Sequence, residues 1–221
     1  MTDSRSSPGV LYLLVCASPV ARDVGRLVDL AQRAGWDVCV VTTPDGRKFV
    51  DAAALQRQTG YPVRTHYKNP GESDLLPAPD AMIVAPATVN TINKWAAGIA
   101  DTLVLGLLIE GYGYGLPMVA VPYTNNVMAA HPALRDSIGR LRGWGVQVLF
   151  GDDVVPLHRP GDGERRRGEF PWRLALDALH ARWRAPAGPV PQLPAPDVSV
   201  SGGQPPAAEA PGGCSGAQPL P

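Results

Sequence analysis

Short apolar runs alternate with amphipathic segments along most of this chain, and that alternation restricts the possible fold more than any other feature. The runs are rich in β-branched side chains, as strands buried on both faces of a sheet are. They lie at residues 10–16, 36–43, 80–88, 117–124 and 146–150, and residues 62–67 allow a further short strand. We interpret the runs as the core strands of one sheet.

The segments between these runs show the spacing of helices. Apolar residues recur at helical intervals from Val24 to Ala31, and Gly35 then marks a C-terminal stop. Further helices are predicted at 47–60, with Phe49, Ala53 and Leu55 facing the sheet, and at 90–98, 101–109, 131–145 and 171–183. Strands that alternate with helices predict an α/β fold with a doubly wound parallel sheet, Rossmann-like or flavodoxin-like, joined by right-handed crossovers.

The length of 221 residues suits a single domain with a sizeable core. We expect a flexible N-terminus at 1–9, one domain at 10–184, and a disordered tail at 185–221, where Pro, Gly and Ala dominate. Residues 152–170 are rich in charge, Pro and Gly, and are interpreted as an excursion on the surface.

The charge balance restricts the partners. Twenty basic and twenty acidic side chains cancel, which argues against a nucleic acid bound through bulk charge. No stretch approaches the roughly 20 apolar residues of a membrane span, and the first residues do not read as a signal peptide. We therefore expect a soluble cytoplasmic protein with no membrane partner. Cys16 and Cys39 lie in strand-like runs and Cys214 in the tail, so we expect reduced thiols and no bound metal.

The loops that follow the strands are the candidate site, because ligands of open parallel sheets bind beyond the carboxyl ends of the strands. Four such loops are rich in small residues, hydroxyls and amides: CASPVA, TTPDGRK, APATVNTINK and VPYTNN. Backbone N–H groups and short side chains in these loops can approach a phosphate or a heteroaromatic ring closely. None contains GxGxxG or a P-loop, which weakens a dinucleotide or ATP interpretation.

The segment PATVNTINKWAAGIADTL at 86–103 is the most specific signal in the chain. It resembles PASANTINKxxxGxxD of the homo-oligomeric flavin-containing cysteine decarboxylases, a family that includes phosphopantothenoylcysteine decarboxylase and the decarboxylases of lantibiotic peptides. PYTNNVMAAHPAL at 122–134 is similar to the PxMNxxMWxxPxL segment of that family, and the first two loops resemble its loops in the same order. The resemblance covers residues 10–150 and implies FMN as cofactor.

The resemblance also implies which residues contact FMN. Ala17 and Ser18 would lie against the phosphate or ribityl chain, with the Thr43 hydroxyl near the phosphate, and Tyr123 would lie near the ring. The main FMN-binding turn would comprise Pro86, Thr88, Val89, Asn90 and Thr91. Helix capping is the alternative explanation of Asn90 and Thr91, since both residue types favour that role.

For catalysis, the resemblance implies that flavin oxidises a cysteine thiol and that the neighbouring carboxylate then leaves as carbon dioxide. A histidine and the Asn of PxMN serve that step. Asn125 matches the Asn, but alignment with the family's HIxLxxxAD segment puts Glu72 in the place of the histidine. His66 is an alternative if residues 68–73 fold back. His131 is a second titrating candidate, for which a helix start is the other explanation.

The expected substrate pocket departs from the family pattern. Met128 is kept, whereas Thr124 and Ala129 replace a Met and a Trp, so the pocket wall differs in size and polarity. Arg165 and Arg166, in the run ERRR, occupy the region of a clamp for an anionic substrate. A solvated basic turn is the alternative interpretation of that run.

These features favour an FMN-dependent carboxy-lyase that acts on a cysteine-containing small molecule, phosphopantothenoylcysteine-like, or on a peptide C-terminal cysteine. The alternative is a non-catalytic flavin-binding or regulatory subunit that has lost the active-site histidine. A flavin prenyltransferase shares the fold, but the chain has no clear prenyl-phosphate motif. The resemblance also implies a homotrimer or a multiple of it, and the apolar stretch at 95–115 is explained equally by such an interface and by core packing.

Overall fold

A computed structural model describes residues 8–184 and contains a five-stranded sheet. The strands are β1 Val10–Val15, β2 Asp37–Thr42, β3 Ala81–Ala87, β4 Met118–Pro122 and β5 Gln147–Val148. Their order is β2-β1-β3-β4-β5, and each neighbouring pair is parallel. The chain therefore runs outward from β1 to β2 and returns past β1 to form β3, so the strand order reverses between β1 and β3.

Helices cover both faces of this sheet. They are α1 Gly25–Arg33, α2 Ala52–Thr59, α3 Val89–Ala96, α4 Leu103–Gly113, α5 Asn126–Ala129, α6 Pro132–Gly143 and α7 Trp172–Arg184. Successive side chains of a strand point to opposite faces, and the core divides accordingly. Leu11 and Leu13 of β1 pack with α1, α2 and α7, whereas Tyr12 and Leu14 pack with α3, α4 and α6. The predicted doubly wound α/β fold with three layers is confirmed.

The end of β3 carries an irregularity. The register of β3 against β4 shifts between Val84 and Ala87, and a bulge of this kind bends a strand and redirects the side chains that follow it. Pro86 is buried at the bulge, where its carbonyl accepts the Cys16 N–H at 3.1 Å. The loops that follow β1 and β3 consequently start from a fixed relative position.

The helix predicted at 47–60 is interrupted, which corrects one local prediction. A 3₁₀ turn spans Gly46–Phe49, and α2 begins only after Asp51, whose carboxylate caps it by accepting the Ala54 N–H at 2.9 Å. The interruption changes which residues face inward. Ala53 is exposed rather than facing the sheet, whereas Leu55 is buried as predicted.

Residues 152–170 are not simply an excursion on the surface, as was predicted. His158, Gly163 and Phe170 are buried. The Phe170 ring packs edge-on against Tyr123, with 5.8 Å between the ring centroids. This contact draws the segment over the carboxyl end of β4, because Tyr123 is the first residue after that strand.

Core packing accounts for part of the apolar stretch at 95–115. Trp95, Leu103 and Leu108 are buried in the layer that contains α3, α4 and α6, whereas Ile99 and Tyr114 stay exposed. Within residues 8–184, no helix combines the length and the apolar character that crossing a membrane requires. The tail predicted at 185–221, with Cys214, and most of the predicted N-terminal segment lie outside the described residues.

Candidate functional site

A cleft opens at the carboxyl edge of the sheet, where the strand order reverses. The helix layers explain its position. The chain leaves β1 toward α1 on one face of the sheet and leaves β3 toward α3 on the other, so the two loops diverge, as they do at the switch points where open sheets bind ligands. The cleft has a volume of about 370 Å³, within the ~300–1,000 Å³ typical of small-molecule sites. We call it the switch-point cleft.

Four chain segments line the switch-point cleft. They contribute Ala17, Ser18 and Pro19 after β1, Thr88 and Val89 after β3, Tyr123, Thr124, Asn125 and Met128 after β4, and His158, Gly161, Gly163 and Glu164 from the segment before α7. The sequence-predicted site residues among them are Ala17, Ser18, Thr88, Val89, Tyr123, Asn125 and Met128. The structure thus brings together the central residues of three of the four predicted loops.

Three buried polar atoms at the switch-point cleft have no hydrogen-bond partner among the described residues: Ser18 Oγ, Thr124 Oγ1 and His158 Nε2. Their residues are only 4 %, 8 % and 8 % exposed. An unpaired buried polar atom costs about 1–3 kcal/mol, and native proteins contain few of them. Their concentration in one cleft indicates a polar ligand that supplies the missing partners.

The N-terminus of α3 forms one wall of the cleft. Thr88 caps this helix, since its Oγ1 accepts the Thr91 N–H at 3.3 Å. The N–H groups of Val89 and Asn90, in the first turn, have no partner within the helix, and the helix dipole makes this end electropositive. Together with the Ser18 hydroxyl across the cleft, this wall has the donors that a phosphate requires.

Four predicted FMN contacts lie outside the cleft lining. Pro86 is buried at the bulge of β3. The Thr43 hydroxyl accepts the Gly46 N–H at 3.0 Å, and the buried Thr91 hydroxyl lies 3.2 Å from Cys16 Sγ and 3.1 Å from Thr88 Oγ1. Asn90 is exposed. Thr88, rather than Asn90 or Thr91, is the N-cap residue of α3, and Thr91 takes part in the cap through the N–H group that Thr88 Oγ1 accepts.

His66 and Glu72 line a different depression, of about 510 Å³, together with Arg64, Tyr67, Lys68, Ser73 and Leu75. It is larger than the switch-point cleft, but its charged groups already have partners. Arg64 and Lys68 both pair with Asp74, at 3.7 and 2.9 Å. None of the unpaired buried side-chain atoms in the described residues belongs to this depression. It therefore gives no comparable indication of a ligand.

The Glu72 carboxylate accepts hydrogen bonds from within its own turn. It accepts the side-chain amide of Asn69 at 2.7 Å and the Asn69 backbone N–H at 2.9 Å. These bonds, the side-chain one first, hold the pKa of Glu72 below its ordinary value. A carboxylate whose charged form is stabilised is a weaker base.

Asn125 lies in the cleft with one half of its amide available. Its Oδ1 accepts the Met128 N–H at 2.9 Å and so caps α5. Its Nδ2 makes no hydrogen bond within residues 8–184. An amide N–H of this kind can donate to a carboxylate of a bound molecule.

Tyr123 contributes its ring to the cleft rather than its hydroxyl. The hydroxyl donates to the Gly163 carbonyl at 2.7 Å, and the ring packs against His158 and Phe170. Burial raises the pKa of Tyr123, so this hydrogen bond keeps its proton through the neutral range. Tyr123 therefore holds the segment before α7 over the cleft.

The arginines of the run ERRR form ion pairs. Arg166 contacts Glu169 through Nε and Nη2, with a shortest distance of 2.6 Å, and Arg165 lies 3.7 Å from Asp162. These two predicted substrate ligands are thus paired within their own turn and lie outside the cleft lining.

The next arginine joins that segment to the turn that follows β1. Arg167 pairs with Asp23 at 2.8 Å and with Glu164 at 2.7 Å, and Arg22 pairs with Glu164 at 3.0 Å. The two arginines also neutralise the carboxylate of Glu164, which lines the cleft.

His158 is a site residue that the sequence interpretation missed. It belongs to a segment with no apolar periodicity, so a lone histidine there carries no distinguishing signal. His131, by contrast, caps α6, since its Nδ1 accepts the Ala133 N–H at 3.2 Å. The helix-start explanation of His131 is confirmed.

Comparison with known proteins identifies relatives. The model of the family described as Flavoprotein matches residues 3–166. The coenzyme A biosynthesis bifunctional protein CoaBC of Thermococcus kodakarensis is 30 % identical over 156 residues, which are 67 % of this chain and 38 % of that protein. The match thus spans under two fifths of the length of this curated relative.

Solved structures share the fold. The epidermin biosynthesis protein EpiD from Staphylococcus aureus is 27 % identical, with a TM-score of 0.53 over 63 % of this chain and 81 % of that chain. TvaF, an FMN-dependent cysteine decarboxylase from thioviridamide biosynthesis, is 23 % identical, with a TM-score of 0.60 over 77 % of this chain and 98 % of that chain.

The Tyr123 to Gly163 hydrogen bond yields a stability prediction. Tyr123→Phe leaves the Gly163 carbonyl without its buried donor, so we expect the free energy of unfolding to fall by about 1–3 kcal/mol. Urea denaturation at neutral pH measures it. Tyr114→Phe is the matched control, because Tyr114 is 76 % exposed and Tyr123 only 6 %. Equal stability of the two variants would show that this bond does not hold the segment.

Proposed function

We propose that this chain, which belongs to the Flavoprotein family, binds FMN in the switch-point cleft and decarboxylates a cysteine-containing substrate oxidatively. The substrate class is a small molecule of the phosphopantothenoylcysteine kind or a peptide with a C-terminal cysteine. The observation that carries the proposal is the cluster of unpaired buried atoms, Ser18 Oγ, Thr124 Oγ1 and His158 Nε2, at the point where the strand order reverses.

The donors of the cleft fit an FMN molecule. The Ser18 hydroxyl and the first N–H groups of α3 suit the phosphate, because a dianion prefers short hydroxyl and backbone donors at a helix N-terminus. Val89, the Tyr123 ring and Met128 supply apolar surface for the flavin ring. The family match and the FMN-dependent structural relative support the same cofactor.

The chemistry divides between cofactor and protein. Bound FMN supplies a two-electron oxidant for the CH₂–SH unit of the cysteine, and the resulting thioaldehyde delocalises the electron pair that departing carbon dioxide leaves behind. The protein orients the substrate. Asn125 Nδ2, which is unpaired, donates to the substrate carboxylate and holds it in the cleft until it is lost as carbon dioxide.

A binding-only function is the second candidate. It is favoured by the positions of His66 and Glu72, the two predicted bases. Both line the second depression, whereas Asn125 lines the switch-point cleft. Purified protein incubated with a cysteine-terminated peptide or with 4′-phosphopantothenoylcysteine, followed by mass spectrometry, separates the two candidates. Loss of carbon dioxide from either probe supports the enzyme, whereas FMN binding without such loss identifies the binding-only protein.

We expect Ser18→Ala to weaken FMN binding about 10- to 100-fold, because a hydrogen bond to a charged group contributes about 1.5–3 kcal/mol. Fluorescence titration of the flavin measures the dissociation constant. Ser137→Ala is the matched control, since Ser137 is also buried but lies on α6, outside the cleft. Equal affinity of both variants would contradict the position of the phosphate.

We expect Asn125→Asp to keep FMN and lose decarboxylation. An aspartate caps α5 as well as an asparagine does, so the fold is retained, but its charge repels the substrate carboxylate. Flavin content and product mass are measured on the same preparation. Asn126→Asp provides the control, because Asn126 is the exposed neighbour outside the cleft lining. Full activity of Asn125→Asp would exclude Asn125 from substrate binding.

A further inference from the structure

His158 presents a free ring nitrogen at the switch-point cleft. Its Nδ1 lies 2.9 Å from the Arg159 carbonyl oxygen. A carbonyl oxygen only accepts hydrogen bonds, so Nδ1 carries a proton, and the lone pair of the neutral ring is at Nε2. Nε2 is buried and has no partner within the described part of the chain. The basic atom of the ring in this tautomer is therefore unoccupied.

Backbone contacts fix His158 beside Asn125. The two residues form a parallel β-bridge, and the His158 carbonyl accepts the Asn126 N–H at 2.9 Å. Main-chain geometry thus holds His158 in register with Asn125, the residue that caps α5. Their side chains line the same cleft.

Neighbouring rings and a glycine fix the orientation of the imidazole. Its centroid lies 4.9 Å from that of Tyr123. A Cβ at Gly163 would lie 3.2 Å from His158 Cε1 and 3.4 Å from Nε2, which is tighter than ordinary contact. Because residue 163 is glycine, no side chain at that position crowds the Cε1–Nε2 edge of the ring.

None of the other three histidines of the chain combines an unpaired buried ring nitrogen with a place in the switch-point cleft. His66 is exposed in the second depression, and His131 uses its Nδ1 to cap α6. His180 accepts the Trp36 indole N–H at 3.0 Å through Nε2. Only His158 lines the cleft that contains Asn125.

We propose that His158 Nε2 is the catalytic base that takes the thiol proton of the substrate cysteine in the switch-point cleft. The inference rests on the proposed function, because it requires a cysteine substrate and FMN. Imidazole is the side chain that most readily exchanges a proton near neutral pH. A thiol has a pKa of about 8.5, so a base within reach is needed to generate the thiolate.

The bonds and charges balance in three steps. The S–H bond breaks and its proton forms an N–H bond at Nε2, while a hydride leaves the substrate Cβ for the flavin and a C=S bond forms. The Cα–carboxylate bond then breaks, carbon dioxide departs, and the electron pair moves onto sulfur. Nε2 returns its proton to that sulfur to give an enethiol. Dissolved dioxygen is the oxidant that restores the flavin for the next turnover.

The test compares His158→Gln with wild-type full-length protein, both loaded with FMN. Glutamine keeps a polar side chain of similar reach but is not a base. We expect FMN affinity to change less than about threefold. The rate of carbon dioxide loss, with a cysteine-terminated peptide or 4′-phosphopantothenoylcysteine as substrate, should fall about 10²- to 10⁴-fold, because that is the usual contribution of a general base. Product mass and flavin bleaching without oxygen are the readouts.

His158→Ala provides a second readout that a purely structural role would not affect. We expect added imidazole to restore a measurable part of its decarboxylation rate, since the free base can occupy the space of the missing ring. His131→Asn is the matched control, because asparagine also caps a helix, and it should keep the wild-type rate.

Three outcomes would overturn the inference. Wild-type activity of His158→Gln would do so, as would loss of FMN affinity in parallel with rate, which would make His158 a cofactor ligand. Loss of the rate in His66→Gln together with its retention in His158→Gln would assign the base to His66. Wild-type protein that decarboxylates neither probe would instead overturn the proposed function, and this inference with it.

Discussion

The reversal of strand order between β1 and β3 is the constraint on which the rest of the structure depends. Since β2 and β3 lie on opposite sides of β1, the helices that follow β1 and β3 pack on opposite faces of the sheet. The loop from β1 to α1 and the loop from β3 to α3 must therefore diverge. That separation places the Ser18 hydroxyl and the N-terminus of α3 on the two sides of one cleft.

The segment before α7 completes the site. Four kinds of contact hold it there: the hydrogen bond from the Tyr123 hydroxyl to the Gly163 carbonyl, the packing of the Tyr123 ring against His158 and Phe170, the bridge between Asn125 and His158, and the ion pairs of Arg167. Exposed ion pairs contribute little individually, so the buried hydrogen bond and ring packing carry most of the energy. The position of this segment leaves three polar atoms without partners, an arrangement that a ligand would relieve.

The sequence was sufficient for the fold and for half of the site. The apolar runs predicted β1 to β5, and the rule that ligands bind at the carboxyl ends of strands selected the loops. The family resemblance then selected Ser18, Thr88 and Tyr123 within them. The resemblance assigned Asn90 and Thr91 to the ligand but carries no information on helix phase, so their places on α3 could not be predicted. With Thr88 as cap, α3 turns Thr91 inward with Ile92 and leaves Asn90 exposed. His158 was missed because its segment is held by Tyr123 and Phe170, contacts between residues distant in sequence that no local pattern encodes.

The measurement that tests the FMN site most directly is calorimetric titration of the wild-type chain with FMN and, separately, with riboflavin, which lacks the phosphate. The proposed function predicts saturable binding of one FMN per chain and riboflavin binding at least about tenfold weaker, because the proposal assigns the phosphate to the Ser18 hydroxyl and the α3 N-terminus. The absence of saturable FMN binding would contradict a flavin site in the switch-point cleft, and equal affinity for riboflavin would contradict its phosphate contacts.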